Sequence, residues 1–241
     1  PINIPYIYTL WDLNHRINPQ FPEVGEKKEW EHREKFHQTV LPAALQIITG
    51  MQTGKNQIIK FYGVPDNRIH VIPFPTPKLP TPSPEQTTHL LAPLGIKRPY
   101  IFYPANFWSH KDHPTLLKAL QILRNNNIDI ELVCVGHDTG NKQSIIDLTN
   151  SLHLSDHVRF LGFVTTETLA ALYQNAIALT YASYFGPDNL PPLEAFSLHC
   201  PVICSLYEGA QEQLDDAALF FPLGDSNKLA EQVLLLLNSP D

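Results

Sequence analysis

The sequence predicts an α/β protein built on doubly wound parallel sheets, one sheet complete or nearly complete and part of another ahead of it. Three observations predict this. From Arg98 onward, short apolar runs alternate with amphipathic stretches of helical period, the order of repeated strand–helix units. The apolar runs are continuous rather than alternating, IELVCVG (Ile130–Gly136) most plainly, as strands covered on both faces require. A stretch with six prolines, Pro73–Pro84 (PFPTPKLPTPSP), divides this series from a shorter one before it.

The elements follow in order. Pro5–Leu10 reads as a short buried strand and Trp11–Val24 as a long loop mixing polar, aromatic and proline residues. Residues 28–46 read as one helix, charged first and apolar later, ended or kinked by Pro42. Ile47–Gly50 is a strand, Thr53–Val64 an amphipathic helix stopped near Gly63 and Pro65, and Arg68–Phe74 a further strand. These make half of an α/β unit, assigned to residues 1–78 as the C-terminal part of a first domain. Residues 79–97 are assigned to a proline-rich linker and residues 98–241 to a second domain. In the second domain, strands are expected at Arg98–Ala105, Ile130–Gly136, Val158–Val164, Ala176–Ser183, Pro201–Ser205 and Ala218–Leu223. Helices are expected at Pro114–Asn125, about Asn141–Leu152, after a Thr165 cap to Asn175, from Pro191 onward, and at Asn227–Leu237.

Composition narrows the function classes. The 241 residues are 43% hydrophobic and 17% charged, which marks a globular chain, and the net charge of −7 argues against a broad nucleic-acid surface. No apolar run is long enough to span a bilayer. Cys134, Cys200 and Cys204 make no disulfide framework and read as core thiols of a reducing cytoplasm. His110 and His113 lie three apart, but no cysteine or carboxylate completes a metal-ligand pattern beside them, so no protein-bound metal is expected.

The chemistry is expected at one sheet edge. The loops Asn106–His113, Gly136–Asn141, Gly162–Thr165 and Phe185–Pro192 all follow strands and should converge on one cleft. Lys111, between a strand and a helix start, can neutralise a phosphate as a point charge, though a solvated surface lysine has the same sequence context. Pro191 and Pro192 suit a first helical turn, and Asp188 or Asn189 can cap it. The remaining free N–H groups of that turn, with the helix dipole, favour an anion. Glu194, placed in the same first turn, would bind something neutral beside the anion, such as a diol. Anion plus diol suggests a nucleotide; an ordinary capped helix fits the same residues. Asp12, His15 and Arg16 follow the first strand and are candidates for ligand contacts or for bonds to loop backbone. Gly136–Ser144 (GHDTGNKQS) superficially resembles a phosphate-binding loop, but three residues rather than four separate its glycines and Asn141 precedes Lys142, so it is read as a turn.

Taken together, VRFLGFV, FGPDNLPPLEAFSLHCPVICS, PANFWSHKDHPTLL and ITGMQTGKNQIIKFYGVPDNRIHVIPF resemble a retaining family 4 glycosyltransferase of the GT-B fold, in the expected order and over nearly the whole chain. The resemblance implies two Rossmann-like domains and a nucleotide-diphospho-sugar donor on the second. Lys111 matches the lysine on the diphosphate, and Glu194 the second Glu of a Glu-x7-Glu motif that binds ribose hydroxyls. Asn189 and Leu190 match positions whose backbone N–H groups face the donor, and Gly162, Phe163 and Val164 the segment against the nucleobase. Three positions depart. Gly186 stands for the first Glu, with Asp188 a substitute carboxylate; Asn106 stands for a phosphate-binding Arg; Trp11–Asp12 stands for a His-Asp pair, with His15 nearby as a catalytic candidate. The implied activity is transfer of a hexose, mannose or glucose, to a hydroxyl of a glycan, lipid-linked or small-molecule acceptor. It is placed in polysaccharide or glycoconjugate biosynthesis, with peripheral attachment at the inner membrane face compatible with it. Members are longer, so the start of the first domain and the closing helices are expected outside this sequence. A non-catalytic nucleotide-sugar-binding domain and a GT-B-fold epimerase are the competing readings.

Overall fold

In the computed structural model, residues 4–186 and 188–238 are described; Pro187, within the FGPDNLPPLEA stretch, lies outside them. The chain forms two compact units. The first holds the residues through Pro75 together with Phe185–Asn189 and Tyr207–Asp215, and the second holds the remainder.

The first unit carries a parallel sheet of β1 (Ile7–Thr9), β2 (Gln46–Thr49) and β3 (Ile69–Val71), in that order. Ile47 lies opposite Tyr8 on one side and Ile69 on the other. Its helices are α1 (Asn14–Ile17), α2 (Pro22–Gly25), α3 (Lys27–Ala43) and α4 (Gln52–Tyr62). Leu10, Leu13, Leu41, Ile47, Ile58 and Ile69 form one buried cluster between them. Two expectations are corrected here. Trp11–Val24 is not all loop: two single-turn helices form, the second with Pro22 at its N1 position. The long helix stops at Ala43 rather than residue 46, because Ala44 turns to extended backbone and Gln46 enters β2; Pro42 sits inside the last turn and does not end it.

The second unit begins with α5 (Pro84–Leu91), which corrects the linker assignment for residues 79–97. Ser83 and Gln86 form a reciprocal capping box and Pro84 occupies the first turn, so the proline-rich run starts a helix. β4 (Tyr100–Pro104), α6 (His113–Asn125), β5 (Glu131–Val135), α7 (Lys142–Ser151), β6 (Val158–Phe160), α8 (Thr166–Asn175), β7 (Ala178–Tyr181), α9 (Leu190–Ser197) and β8 (Val202–Ser205) follow. α10 (Ala210–Leu214) groups with the first unit, and β9 (Leu219–Phe221) and α11 (Ser226–Asn238) complete the second. All six strands are parallel, ordered β6-β5-β4-β7-β8-β9. Phe102, Leu132, Val133, Leu179 and Ile203 are fully buried in the sheet, and Leu116, Leu120 and Leu123 cover it from α6. α5 packs on α8, and α11 on α6. This is the doubly wound α/β class expected, with each helix contributing an apolar stripe.

The two ends of the large sheet differ. At the N-terminal end of β5, Glu131 is 0% exposed and is held by Arg98 (3.2 Å) and Arg159 (2.8 Å). Asp129, next to it, binds Arg98, Arg124 and His157. Such an ion network ties the strand ends of β5 and β6 together around a buried carboxylate.

Candidate functional site

The chain runs from β4 outward to β5 and β6, then returns to set β7 on the other side of β4. That reversal makes a switch point between β4 and β7, and open α/β sheets bind ligands at the C-terminal strand ends beside such a point. Lys111 stands there, at the end of a 3-10 turn (Ser109–Lys111) after β4. Its backbone carbonyl accepts from the Tyr103 hydroxyl (2.7 Å), and its Nζ donates to Tyr181 Oη (2.7 Å) and lies 3.3 Å from Ser183 Oγ. Tyr184 N–H donates to His110 O (2.8 Å), and Ser205 Oγ to Ser183 O (2.6 Å), so the loops after β4, β7 and β8 are tied together. Asp112 then caps α6 through Thr115 N–H, and burial raises its carboxyl above the usual range against that bond.

Glu194 is reached from the other direction. It lies in the second turn of α9, one turn later than the sequence reading placed it. Its Oε2 accepts from the Tyr173 hydroxyl (2.8 Å). Burial raises its pKa, and the Tyr173 bond opposes the rise. Burial chiefly pushes the Tyr181 phenol up, with Cys204 and last Glu194 as lesser causes and a Ser183 hydrogen bond opposing them. Tyr181 therefore stays neutral beside the ammonium of Lys111.

A second cluster gathers beside β4 and β5. Asn106 Oδ1 accepts from His137 N–H (2.8 Å), and Gly136 N–H donates to Gly162 O (3.0 Å). Gly136 has no room for a side chain: a Cβ would lie 2.3 Å from Ala105 O. Phe163, 77% exposed, stacks on His137 at 5.2 Å, with Val164 half-buried behind it. Asn106, Gly162, Phe163 and Val164 thus share one edge, and Leu190 opens α9 at the surface. The Gly136–Ser144 segment is a turn: Asp138 Oδ1 accepts from Gly140 and Lys142 N–H groups.

In the first unit the outcome differs for His15. It is 0% exposed, with Nε2 3.2 Å from Glu34 Oε2, so the structure turns it inward onto Glu34 rather than toward the open strand edge where the sequence placed it. Arg16 Nε (2.7 Å), Tyr62 Oη (3.1 Å) and Gln38 Nε2 (2.7 Å) also bind Glu34. Burial alone would raise Glu34, but these donors outweigh it and hold it at about 2. Burial and the neighbouring His15 bring His37 down to about 4. Asp12 instead faces solvent beside Arg33, at 2.9 Å. Asp188 and Asn189 also group with this unit. Asn189 Nδ2 donates to Gly186 O (2.6 Å), and Gln213 Nε2 to Asn189 O (2.8 Å). Asp188 Oδ2 is buried against the Cα of Gly50 with no hydrogen-bond donor among the described residues, and burial first, then Glu212, raises its pKa to about 6.

Sequence reasoning missed Tyr173, Tyr181 and Ser183. The signal was present: hydroxyl-bearing Thr180, Tyr181 and Ser183 end an otherwise apolar strand. It also missed Gln213 and Glu212, the latter accepting from Thr53 N–H (2.9 Å) and Thr53 Oγ1 (2.7 Å) at the start of α4. Among the described residues no group of three His, Cys, Asp or Glu is placed to hold a metal, and no helix is long and apolar enough to cross a membrane.

A family model described as glycosyl transferases group 1 matches residues 91–241. The chain is similar to the O-antigen chain mannosyltransferase B of Escherichia coli, 26% identical over 216 residues covering 88% of this chain and 57% of that protein. It is similar to the D-inositol 3-phosphate glycosyltransferase of Pseudarthrobacter chlorophenolicus, 25% identical over 86% of this chain and 50% of that one. The chain thus spans little more than half the length of these curated relatives. Among solved structures, a sucrose-phosphate synthase from Thermosynechococcus elongatus superposes with a TM-score of 0.83 at 24% identity, over 99% of this chain and 60% of that one. Anabaena Alr3699/HepE in complex with UDP-glucose gives 0.79 at 20% identity, over 98% and 63%. The fold is therefore of the GT-B type, with Rossmann-like units.

Proposed function

The chain belongs to the glycosyl transferases group 1 family, and from that premise we propose that its second unit binds a nucleotide-diphospho-sugar and that the protein moves the sugar, with retention, to an acceptor hydroxyl. The observation that carries this reading is the Lys111–Tyr181 bond at the β4/β7 switch point. Lys111, held in place from both ends, supplies positive charge where the diphosphate departs. The Leu190 N–H, followed by two prolines that have none, and the positive end of α9 add to it. Glu194 takes the ribose hydroxyls, and Phe163 lies along the base. The leaving diphosphate assists deprotonation of the acceptor, so no dedicated base and no protein-bound metal is invoked. Mannose or glucose is the proposed sugar, mannose in keeping with the name of the Escherichia coli relative and glucose with the UDP-glucose complex of the Anabaena structure, and polysaccharide or glycoconjugate assembly is the proposed setting.

The test is calorimetric titration with UDP, GDP and their glucose and mannose conjugates, then assay of transfer and of donor turnover alone. Lys111→Ala is expected to remove transfer with folding intact, and Glu194→Ala to weaken nucleotide binding about tenfold. Donor binding without transfer or hydrolysis would favour a binding module, and interconversion of the donor without acceptor an epimerase. Persistence of transfer in EDTA is expected; its loss would overturn the metal-free route.

A further inference from the structure

Tyr173 of α8 is fully buried, and its ring packs edge-on against Phe102 of β4 at 4.9 Å and 88°. A phenol in that setting needs a partner for its hydroxyl. Glu194 supplies one, Oε2 accepting at 2.8 Å, and Pro191 O, one turn earlier in α9, lies 3.4 Å from the same hydroxyl. One fixed ring therefore touches both the carboxylate and the backbone that carries it. Glu194 is half-buried, and its two oxygens differ. Oε2 is held by Tyr173, whereas Oε1 has no protein partner among the described residues and stays open to solvent. The terminal torsion of a glutamate is broad, so pinning one oxygen is what gives the other a fixed direction.

We propose that Tyr173 is a positioning residue for nucleotide binding: its hydroxyl fixes the Glu194 carboxylate so that Oε1 is the oxygen presented to the ribose. Oε1 has two lone pairs and can accept from both members of a vicinal diol. The proposal rests on the ribose half of the donor reading and adds the residue that sets its geometry. The bond has an electrostatic side as well. Burial raises the Glu194 pKa and the Tyr173 bond opposes the rise, so the bond favours the ionised acceptor. β7 and β8 also pack against α9 and bring Tyr181 and Cys204, with Cys200 just ahead of β8 and the Lys111 ammonium held on Tyr181. Burial pushes Tyr181 and Cys200 up, the latter to about 12, so both stay neutral where Glu194 titrates.

The experiment is calorimetric titration of the whole chain with UDP, GDP and their 2′-deoxy counterparts, from about pH 5 to about pH 8. Wild type is expected to prefer the tighter-binding ribonucleotide over its 2′-deoxy form about tenfold. Tyr173→Phe keeps the ring and removes the hydroxyl, and should cut that preference to about threefold. It should also move the acid limb of the affinity profile to higher pH, because Glu194 then protonates earlier as pH falls. 3-Fluorotyrosine in place of Tyr173, a stronger donor in the same ring, should move the limb the other way, and it carries the test if melting curves show the phenylalanine variant unfolded. In a Glu194→Gln background, Tyr173→Phe should leave the preference unchanged. Equal losses on ribose and deoxyribose ligands, an acid limb that stays in place, or the same loss without the Glu194 carboxylate would make Tyr173 a packing residue and overturn the proposal. Wild type that binds no nucleotide, or both forms equally, sinks the ribose assignment of Glu194 and this proposal with it; a ribose preference that survives Tyr173→Phe sinks only the proposal.

Discussion

At the scale of single residues, Gly186 decides how far the family pattern can be carried over. Its φ is +125°, a backbone state that favours glycine, and a Cβ would lie 2.5–2.8 Å from the amide of Asn189. Gly186→Glu, which restores the motif's carboxylate, is expected to destabilise the protein by about 1–3 kcal/mol and to leave donor affinity no higher. Thermal melting and donor titration of this variant check both halves; tighter donor binding would show that the loop accepts a side chain after all. His15 teaches a related lesson. Its loop position made it look available, but Glu34, 19 residues away, takes it into the interior. Lys111 could be singled out from sequence because a lysine between strand and helix suits an anion, whereas its hydrogen-bond partner Tyr181, 70 residues further on, was hidden inside an apolar run. Long-range pairing leaves no mark in local pattern.

At the scale of elements, strand order and helix order were largely legible, since continuous apolar runs and Thr165-type caps act locally. Thr165 Oγ1 does accept from Thr168 N–H at 3.2 Å. The Ser83 capping box was obscured by the prolines around it, one of which is a helix starter rather than a breaker. Glu131 was read only as part of an apolar strand, yet it is the buried hub of Arg98 and Arg159. Glu131→Ala leaves two guanidinium groups without that carboxylate and is expected to cost on the order of 3 kcal/mol. Chemical denaturation followed by a probe in the second unit measures it, and a change under about 0.5 kcal/mol would mean the network is only a surface feature.

At the scale of the whole molecule, pH dependence follows from the buried titratable groups. His37 at about 4 and His113 at about 3 are lowered chiefly by burial, and both ring nitrogens of His113 lack partners among the described residues. Such histidines protonate more readily unfolded, so their contribution is complete above about 6.5 and is lost as pH falls toward 4 and 3. Glu34, held at about 2, loses its contribution below about 4.5 in the same direction. Asp188 works oppositely: with its folded pKa raised to about 6, ionisation disfavours the folded state as pH rises from about 4 through 6. Melting temperature should therefore drop steeply between pH 6 and 3. Asp188→Asn should gain stability relative to wild type at pH 7.5 more than at pH 4.5, and His113→Phe should flatten the acid limb. Equal shifts at both pH values would remove Asp188 from this account.

The Lys111–Tyr181 bond also has a kinetic meaning. It joins groups 70 residues apart, across strands β4 and β7 that pair only after the intervening β5 and β6 units have been passed. Closing so long a loop is among the slower steps available to a folding chain. Ligand-binding competence should then arrive with the last refolding phase, so a fluorescent nucleotide added during refolding would clock the meeting of those two strands.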